Sequence, residues 1–334
     1  MVFVTGGTGL LGSHLLIELT KQKKHIRCLY RNEQRIANVQ HVFEFYLREN
    51  WKQYFDCIEW VLGDILDVCF LQEQIDEGSE VYHCAALVSF DENKFNTLLK
   101  INSEGTANMV NVCLERSVRK FCYVSSTAAL GDDGNPIMED TRWKKTPRTS
   151  AYSISKYSAE KEVWRGVEEG LNTIIVNPCV ILGPGNWSES SLLLFKNAQR
   201  GMSHVPSGAN ATVDARDVAE IMVKLMEADI SAEQFLCIGS NQSFKHLISE
   251  IADKLGIRKP TKILSLRMAN TIRVLMGIGY FFSSKSAPIT KDTIANMYAI
   301  REYSNAKVCE RLNFEFRTLE ETIDNAIKGR YYSK

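Results

Sequence analysis

The beginning of the chain changes from one hydrophobic period to another. Residues 1–5 form an unbroken apolar and β-branched run, which is typical of a buried strand. Gly6, Gly9 and Gly12 follow at three-residue spacing. Three leucines within residues 15–19 then fall at the spacing of an amphipathic helix. The pattern predicts a strand, a tight glycine turn and a helix.

The same alternation continues through the first half of the chain. Short apolar runs predict further strands at 25–30, 58–62, 80–84 and 120–125, and helical periodicity predicts helices at 34–52 and 91–116. Strands that alternate with helices imply a parallel sheet with right-handed crossovers. We predict an α/β fold: a Rossmann-type doubly wound parallel sheet, with a smaller, mostly helical C-terminal substrate region.

The later part of the chain divides between these two units. We predict a dinucleotide-binding domain over 1–178, to which 209–240 returns with a strand at 235–238, and a substrate-binding region over 179–208 and 241–334. A helix predicted at 263–282 is rich in large apolar residues. It is expected to form the wall of an apolar pocket or ordinary core, or to attach to a membrane surface through Arg267 and Arg273. The pocket-wall residues would be Met268, Ile272, Leu275, Met276, Phe281 and Phe282, with Trp187 on a facing loop.

Composition narrows the class of protein. The 334 residues are 45% hydrophobic, and 40 Lys and Arg balance 40 Asp and Glu, which does not indicate nucleic acid or an anionic membrane as partner. The nine cysteines include no C-x-x-C pair, so we expect reduced thiols and no metal site. The first strand leaves no room for a cleavable signal peptide, and no apolar run approaches a membrane span. We expect a cytoplasmic protein without an integral membrane segment.

The glycine turn has the features that a dinucleotide pyrophosphate requires. Phosphate oxygens bind backbone N–H groups at a helix N-terminus, where unpaired donors and the helix dipole favour negative charge. A Cβ at Gly6 or Gly9 would obstruct the turn or the phosphate, and one at Gly12 would push the helix away from the strand. We therefore predict a dinucleotide site at this turn.

Basic residues follow the second predicted strand. Arg31 lies 19 residues after Gly12, close to where an acid binds the ribose 2′-OH of NAD and an arginine accommodates the 2′-phosphate of NADP. We predict NADP, held by Arg31 and Arg35. NAD is the alternative if both arginines are only solvated and Glu33 binds the ribose. Asp64, after the third strand, is predicted either to meet the adenine or to cap a helix.

A tyrosine and a lysine share one face of a predicted helix. Tyr152 and Lys156 are four residues apart, so the cation lies beside the phenol. A charge about 4 Å away is expected to lower the tyrosine pKa by about two to three units, which would make Tyr152 a general acid/base. Thr127, at the end of the fifth strand, is expected to hydrogen-bond the substrate oxygen. The alternative is a surface Tyr and Lys pair without catalytic function.

Taken in order, these motifs resemble the extended short-chain dehydrogenases/reductases. The matching segments run through about two thirds of the chain and are Thr5–Gly12, Gly63–Asp64, His83–Ala86, Asn102–Thr106, Ser125–Thr127, Tyr152–Lys156, Asn177–Pro178, Gly183–Pro184 and Val213–Val218. The resemblance implies that Thr127, Tyr152 and Lys156 are catalytic, that Lys156 also holds the nicotinamide ribose, and that Asn102 supports the site. It further implies a homodimer formed through the helices after the fourth and fifth strands. The cofactor-binding residues that we predict are Gly6, Gly9, Leu10, Leu11, Gly12, Arg31, Arg35, Asp64, Ile65, Ala85, Ala86, Asn102, Lys156, Asn177 and Val180.

Two branches of this family are open. Arg31 favours NADP, which would be released after each turnover. Residues 183–185 and 210–214 contain no arginine whose guanidinium could bind a substrate diphosphate, although Arg200 and Arg216 are further candidates for that role. We therefore predict a reductase that interconverts a carbonyl and an alcohol on a small, fairly apolar substrate. The alternatives are a nucleotide-sugar epimerase or dehydratase with tightly bound NAD, and a noncatalytic dinucleotide sensor. The sequence as a whole resembles members of the dihydroflavonol-reductase-like and hydroxysteroid-dehydrogenase-like branches.

Overall fold

A parallel seven-stranded sheet forms the centre of the protein. The computed structural model describes residues 1–133, 135–146, 149–281 and 290–331. Its strands are β1 (Val2–Thr5), β2 (Ile26–Tyr30), β3 (Ile58–Leu62), β4 (Glu80–His83), β5 (Lys120–Val124), β6 (Thr173–Pro178), β7 (Val180–Leu182), β8 (His204–Val205), β9 (Ala209–Asp214), β10 (Glu233–Cys237), β11 (Ser240–Ser243) and β12 (Lys262–Ile263). The order in the large sheet is β10, β6, β5, β4, β1, β2, β3, with every pair parallel. The predicted Rossmann-type α/β fold is confirmed.

Helices cover both faces of this sheet and continue into the C-terminal region. They are α1 (Leu10–Lys21), α2 (Ile36–Leu47), α3 (Trp51–Phe55), α4 (Val68–Gln74), α5 (Phe95–Leu98), α6 (Gly105–Glu115), α7 (Ala151–Glu168), α8 (Leu193–Gln199), α9 (Ala215–Glu227), α10 (Phe244–Lys254), α11 (Leu266–Phe281), α12 (Lys291–Tyr298), α13 (Ala306–Leu312) and α14 (Leu319–Lys328). No described helix is both long enough and apolar enough to cross a membrane.

Two of the predicted helices are interrupted. The helix expected over 34–52 ends at Leu47, because Arg48 takes a positive φ of 52°, and α3 begins a few residues later. The helix expected over 91–116 contains a π-helical segment, Leu99–Glu104, between α5 and α6. Neither break has a proline or glycine at its centre, so residue type gave no signal for it.

The returning segment 209–240 contributes to two sheets. β9 pairs with β7 and with β11 in a separate three-stranded sheet, whereas β10 pairs with β6 in the large one. Between them, α9 packs against α1 on one face of the large sheet. Of the predicted return, only the strand of residues 233–237 adds to the large sheet.

The apolar core follows this layering. One cluster lies under α1, α2 and α9, and a second lies under α4, α6 and α7 on the opposite face. A third cluster surrounds Trp187, which is fully buried and stacks on Phe195 with ring centroids 5.1 Å apart. The expectation that Trp187 forms a pocket wall is therefore wrong, since its indole is part of this core.

Candidate active site

The glycine turn after β1 is closed by backbone contacts. Gly6 has a positive φ of 72°, and a Cβ there would lie 2.5 Å from the amide nitrogen of Ala85. A Cβ on Gly12 would collide with the carbonyl oxygen of Gly6. At Gly9 the added atom would meet only that same oxygen, at 3.3 Å. Gly6 and Gly12 thus permit the close approach of α1 to the strand, and Gly9 leaves space at the helix N-terminus.

The N-terminus of α1 is left open to a ligand. Gly9 is its N-cap and supplies no side-chain hydrogen bond, and the first turn contains no acidic residue. Leu10 is half-buried against the third core cluster, and Leu11 is buried beneath the helix. The backbone N–H groups of this first turn therefore form a site of the kind that binds phosphate. The residues present fit the pyrophosphate of a dinucleotide.

The two arginines after β2 have different surroundings. Arg31 is exposed and forms no ion pair with any other residue that the structure describes. Arg35 is exposed too, but its guanidinium forms an ion pair with Glu189 from the loop that precedes α8. The pairing of Arg35 was not foreseen, because Glu189 is distant in the sequence. Arg31 is the better placed of the two to receive a 2′-phosphate.

Asp64 stabilises a turn after β3. Its Oδ1 accepts a hydrogen bond of 3.0 Å from the backbone N–H of Leu66. The N-cap of α4 is instead Asp67, which accepts from the N–H of Phe70. The alternative that Asp64 caps a helix is therefore wrong, and its contact with an adenine stays a prediction. Ile65 is buried in the second core cluster.

Small residues line the loop after β4. Ala85 and Ala86 are half-buried, and the Ala85 N–H lies 3.3 Å from the Thr5 hydroxyl, to which it donates. His83 at the strand end is fully buried between the hydroxyls of Thr5 and Thr106, at 2.6 and 3.1 Å. Burial lowers the pKa of His83 to about 3. It is a neutral core histidine that connects β1, β4 and α6.

The structure places Tyr152 and Lys156 on the first two turns of α7. Ser150 caps this helix by accepting a hydrogen bond from the N–H of Ser153. Tyr152 is half-buried, and its ring lies edge-on to that of Phe90, with centroids 5.8 Å apart. Lys156 is only 1% exposed. The phenol thus borders an open surface while the ammonium is enclosed behind it.

The expected effect of Lys156 on Tyr152 is corrected by these contacts. The ammonium donates to the Tyr123 hydroxyl at 2.7 Å and to the Val124 carbonyl at 2.8 Å. Burial lowers the pKa of Lys156 to about 7. Burial also raises the pKa of Tyr152 above its ordinary value, although a hydrogen bond with Ser126 acts in the opposite direction. The predicted lowering of the Tyr152 pKa is wrong, because burial outweighs the hydrogen bond with Ser126, while the Lys156 ammonium donates to β5.

Thr127 lies in the short turn that follows β5. It is half-buried and forms a side-chain hydrogen bond with Tyr303. Tyr303 reaches this position because residues 302–304 run alongside Ile137, whose N–H donates to the Glu302 carbonyl at 2.8 Å. Thr127, Ser126 and Tyr152 therefore meet at one end of the sheet, with the Tyr303 hydroxyl beside them.

A buried carboxylate connects α7 to three strands. Glu160 accepts from the Ser125 hydroxyl at 2.5 Å, from Asn177 Nδ2 at 3.0 Å and from Gln234 Nε2 at 3.0 Å. Burial raises its pKa, and the nearby Lys156 acts against that rise. Glu160 lies one helical turn beyond Lys156, on the same face. Its network positions the helix that carries Tyr152.

Two predicted cofactor residues have their amide groups bonded within the protein. Asn102 accepts from the Leu87 N–H at 2.7 Å and donates to the Leu87 carbonyl and the Ser155 hydroxyl. Asn177 donates to Glu160 and to the Ser126 carbonyl. The structure gives both a supporting position, between α7 and the adjacent loops.

Val180 pairs with Thr212 between β7 and β9 and packs on the third core cluster.

Sequence reasoning missed several of these partners. Ser126 adjoins Thr127, and Glu160 follows Lys156 by one turn, so spacing could have suggested both. Tyr303, Phe90 and Gln234 gave no such signal, because they lie in distant parts of the chain. Among the described residues, no group of three His, Cys, Asp or Glu side chains is arranged to hold a metal ion.

Known proteins resemble this chain in sequence and in fold. The model of the NAD dependent epimerase/dehydratase family matches residues 2–238. A putative dihydroflavonol 4-reductase from Synechocystis sp. is 26% identical, over 97% of this chain and 93% of its own length. The crystal structure of gox2253 is 25% identical, with a TM-score of 0.79, and covers 98% of this chain and 97% of its own. The Bordetella bronchiseptica enzyme WbmH, solved in complex with NAD⁺, has the same fold with a TM-score of 0.72 at 18% identity, over 98% of this chain and 97% of its own.

The family match covers well over half of the chain, including the glycine turn and the Tyr152 helix. The protein is accordingly an NAD(P)-dependent enzyme with a Rossmann fold. The chain belongs to the NAD dependent epimerase/dehydratase family, and thus to the extended short-chain dehydrogenases/reductases.

Proposed function

We propose that the protein is an NADP-dependent oxidoreductase that interconverts a carbonyl and an alcohol on a small, fairly apolar substrate. The observation that carries the proposal is the position of Tyr152, a half-buried phenol beside Ser126 and Thr127 whose pKa is raised. A phenol that keeps its proton at neutral pH is suited to donate it to a carbonyl oxygen that gains negative charge. The bound dinucleotide supplies or accepts the hydride.

Each residue of the site has a distinct role in this proposal. The Thr127 hydroxyl orients the substrate oxygen toward Tyr152, which transfers the proton. Lys156 holds the nicotinamide ribose, the backbone N–H groups after Gly9 hold the pyrophosphate, and Arg31 pairs with the 2′-phosphate. The redirected contacts of Lys156 leave it within the same site, one turn behind Tyr152 on α7.

Two observations favour an apolar substrate over a sugar nucleotide. Phe90, whose ring lies edge-on to that of Tyr152, is 40% exposed, so an accessible apolar side chain lies next to the proposed proton donor. Arg216, a candidate for a substrate diphosphate, donates from Nε and Nη2 to the two carboxylate oxygens of Asp214, at 2.9 and 2.7 Å. Its guanidinium fork is therefore already paired. The relatives that carry reductase names support the same branch.

The substitution Tyr152→Phe tests this proposal. It removes the proton donor and leaves the ring, so NADPH reduction of apolar ketones and aldehydes should fall about 100-fold or more, while NADPH affinity changes little. Turnover is followed by NADPH absorbance, and affinity by fluorescence titration. Unchanged turnover would show that Tyr152 is not the proton donor, whereas a wild-type protein that binds NADPH but reduces none of these substrates would favour the noncatalytic sensor. Stoichiometric NAD released from the denatured wild-type protein would instead favour the epimerase alternative.

A further inference from the structure

An exposed apolar stripe runs along α11. Met268, Ile272 and Leu275 are 41%, 37% and 63% exposed. Their spacing of four and then three residues places them on one face of the helix. We call these three residues the α11 stripe. The expectation that this segment packs as ordinary core is wrong for these three side chains. The other pocket-wall candidates lie outside the described part of the chain, namely the side chains of Met276 and Phe281 and all of Phe282.

The opposite side of α11 faces the protein. Ala269 is 5% exposed, and Asn270 and Arg273 are half-buried, so these positions mark the inward face. At 100° per residue the centre of the α11 stripe lies roughly 140° away from them. Two further large apolar residues, Ile263 on β12 and Leu266 at the start of α11, are 47% and 49% exposed. Neither belongs to the α11 stripe, because at 100° per residue Leu266 lies about 150° from the centre of the stripe and Ile263 lies on a different element.

The sequence around this stripe is rich in cations, of which Lys254 and Lys259 are paired, with Glu320 and Asp253. Residues 254–291 contain no Asp or Glu, although acidic and basic residues are equal in number over the whole chain. Arg258, Lys262 and Arg267 are exposed and make no ion pair with any residue within the described ranges. The basic residues of this stretch are Lys254, Arg258, Lys259, Lys262, Arg267, Arg273, Lys285 and Lys291.

We propose that the α11 stripe docks on the surface of an anionic phospholipid bilayer. A helix that exposes large apolar side chains, with cations beside them and no acid, has the two properties of an interfacial membrane helix. The stripe would enter the boundary between headgroups and acyl chains, while Arg258, Lys262 and Arg267 would bind lipid phosphates. An anionic bilayer is the complementary partner for this surface, because cations exceed acids in residues 254–291 even though the two are equal in number over the whole chain.

A second copy of the chain fits this surface less well. A symmetric dimer would place the same cations of both subunits against one another, without an acid from this segment to pair with them. The proposal concerns lipid binding, and it does not depend on the reaction at Tyr152. Membrane docking and catalysis can therefore be tested separately.

Flotation with phospholipid vesicles tests the docking. The full chain is mixed with vesicles of phosphatidylcholine and phosphatidylglycerol, or of phosphatidylcholine alone. We expect binding to the anionic vesicles that weakens as salt is raised, and little binding to the neutral ones. Failure of the wild-type protein to float with anionic vesicles would overturn the proposal.

Two sets of substitutions separate the apolar and cationic contributions. The triple variant Arg258→Gln, Lys262→Gln and Arg267→Gln should weaken partitioning by about fivefold per residue, or roughly 100-fold in total. Replacement of all three stripe residues by Gln should abolish flotation. The matched controls are Val68→Gln, at an exposed apolar position on α4, and the pair Lys23→Gln and Lys52→Gln, at exposed cations elsewhere.

The outcomes distinguish lipid from the other occupants. NADPH affinity equal to that of the wild type shows that a variant has folded. Flotation unchanged in both triple variants would refute the assignment. If the wild type binds no vesicles and the stripe substitutions abolish self-association, the stripe is instead a contact between copies of the chain. If the wild type binds no vesicles and the substitutions raise the KM for an apolar ketone, the stripe instead contacts the substrate.

Discussion

At the scale of single residues, the site depends on where each side chain finds its hydrogen bonds. Lys156 is enclosed by Tyr123 and Val124, and its pKa of about 7 means that its charge changes near neutral pH. Tyr152 is protonated throughout this range, because its pKa is raised. A phenol that keeps its proton thus lies one helical turn from a lysine whose charge changes near neutral pH.

The two glycines at the start of α1 should respond differently to alanine. Gly12→Ala places a methyl group against the Gly6 carbonyl, so it should destabilise the protein by about 2 kcal/mol or more. Gly9→Ala meets that oxygen only at 3.3 Å, so it should fold normally but bind NADPH at least about 10-fold more weakly, since the methyl group lies at the phosphate site. Urea unfolding and fluorescence titration measure the two effects. Equal behaviour of both variants would contradict this account of the turn.

Arg31 and Arg35 should contribute unequally to cofactor choice. Arg31→Ala removes an exposed guanidinium, and it should lower NADPH affinity by about 10- to 100-fold while leaving NADH affinity unchanged, because only NADP carries the 2′-phosphate. Arg35→Ala should have a smaller effect, since Arg35 is already paired with Glu189. The measurement is titration of each variant with both cofactors. If Arg31→Ala weakens both cofactors equally, or neither, the assignment of the clamp is wrong.

At the scale of elements, the orientation of α7 is set by one buried carboxylate. Glu160 connects this helix to β5 through Ser125, to β6 through Asn177 and to β10 through Gln234. The π-helical segment acts similarly from the other side, where Asn102 joins Ser155 to the loop after β4. The helix that carries Tyr152 is therefore held between two hydrogen-bond networks.

Loss of the Glu160 carboxylate should affect both stability and turnover. Glu160→Ala leaves three buried donors without their acceptor, so the free energy of unfolding should fall by about 2 kcal/mol or more. It should also lower kcat with a smaller change in the KM for NADPH, because Tyr152 moves with α7. Glu168→Ala, at an exposed position on the same helix, is the control and should change neither quantity. A stability loss with kcat unchanged would show that Glu160 holds the fold without positioning Tyr152.

At the scale of the whole molecule, two neutral histidines make the fold sensitive to acid. His14 on α1 and His83 at the end of β4 are buried, and burial lowers their pKa values to about 4 and about 3. Between these values and the ordinary pKa of 6.5, the unfolded chain binds more protons than the folded one. Stability is therefore fully present above pH 6.5 and falls as the pH decreases.

This linkage can be measured with single substitutions. From pH 6.5 to pH 5 each histidine should remove about 1.6 kcal/mol from the free energy of unfolding. His83→Asn and His14→Asn should each reduce that pH dependence, whereas His246→Asn, at an exposed position, should not. Urea unfolding at the two pH values provides the comparison. A dependence that persists unchanged in both buried-site variants would assign the acid sensitivity to other groups.

Local patterns in the sequence were sufficient for the framework of the protein. The apolar run, the glycine spacing and the helical period at residues 1–19 predicted β1, the turn and α1, because each depends on sterics and periodicity within a few residues. The spacing of Tyr152 and Lys156 likewise placed both on one helix. The alternation of strands and helices then predicted the parallel sheet, since crossover chirality leaves few other arrangements.

Partners that are distant in the chain were decided only by the tertiary structure. The hydrogen bond of Thr127 with Tyr303, the pairing of Arg35 with Glu189 and the contacts of Lys156 with β5 join segments that no local period connects. The sequence could not predict the exposure of Met268, Ile272 and Leu275 for the same reason. An apolar stripe on a helix is buried or exposed according to which other elements pack against it. Sequence alone thus determined which elements form and which residues share a face, and the packing of those elements determined the charge, hydrogen bonds and exposure of each side chain.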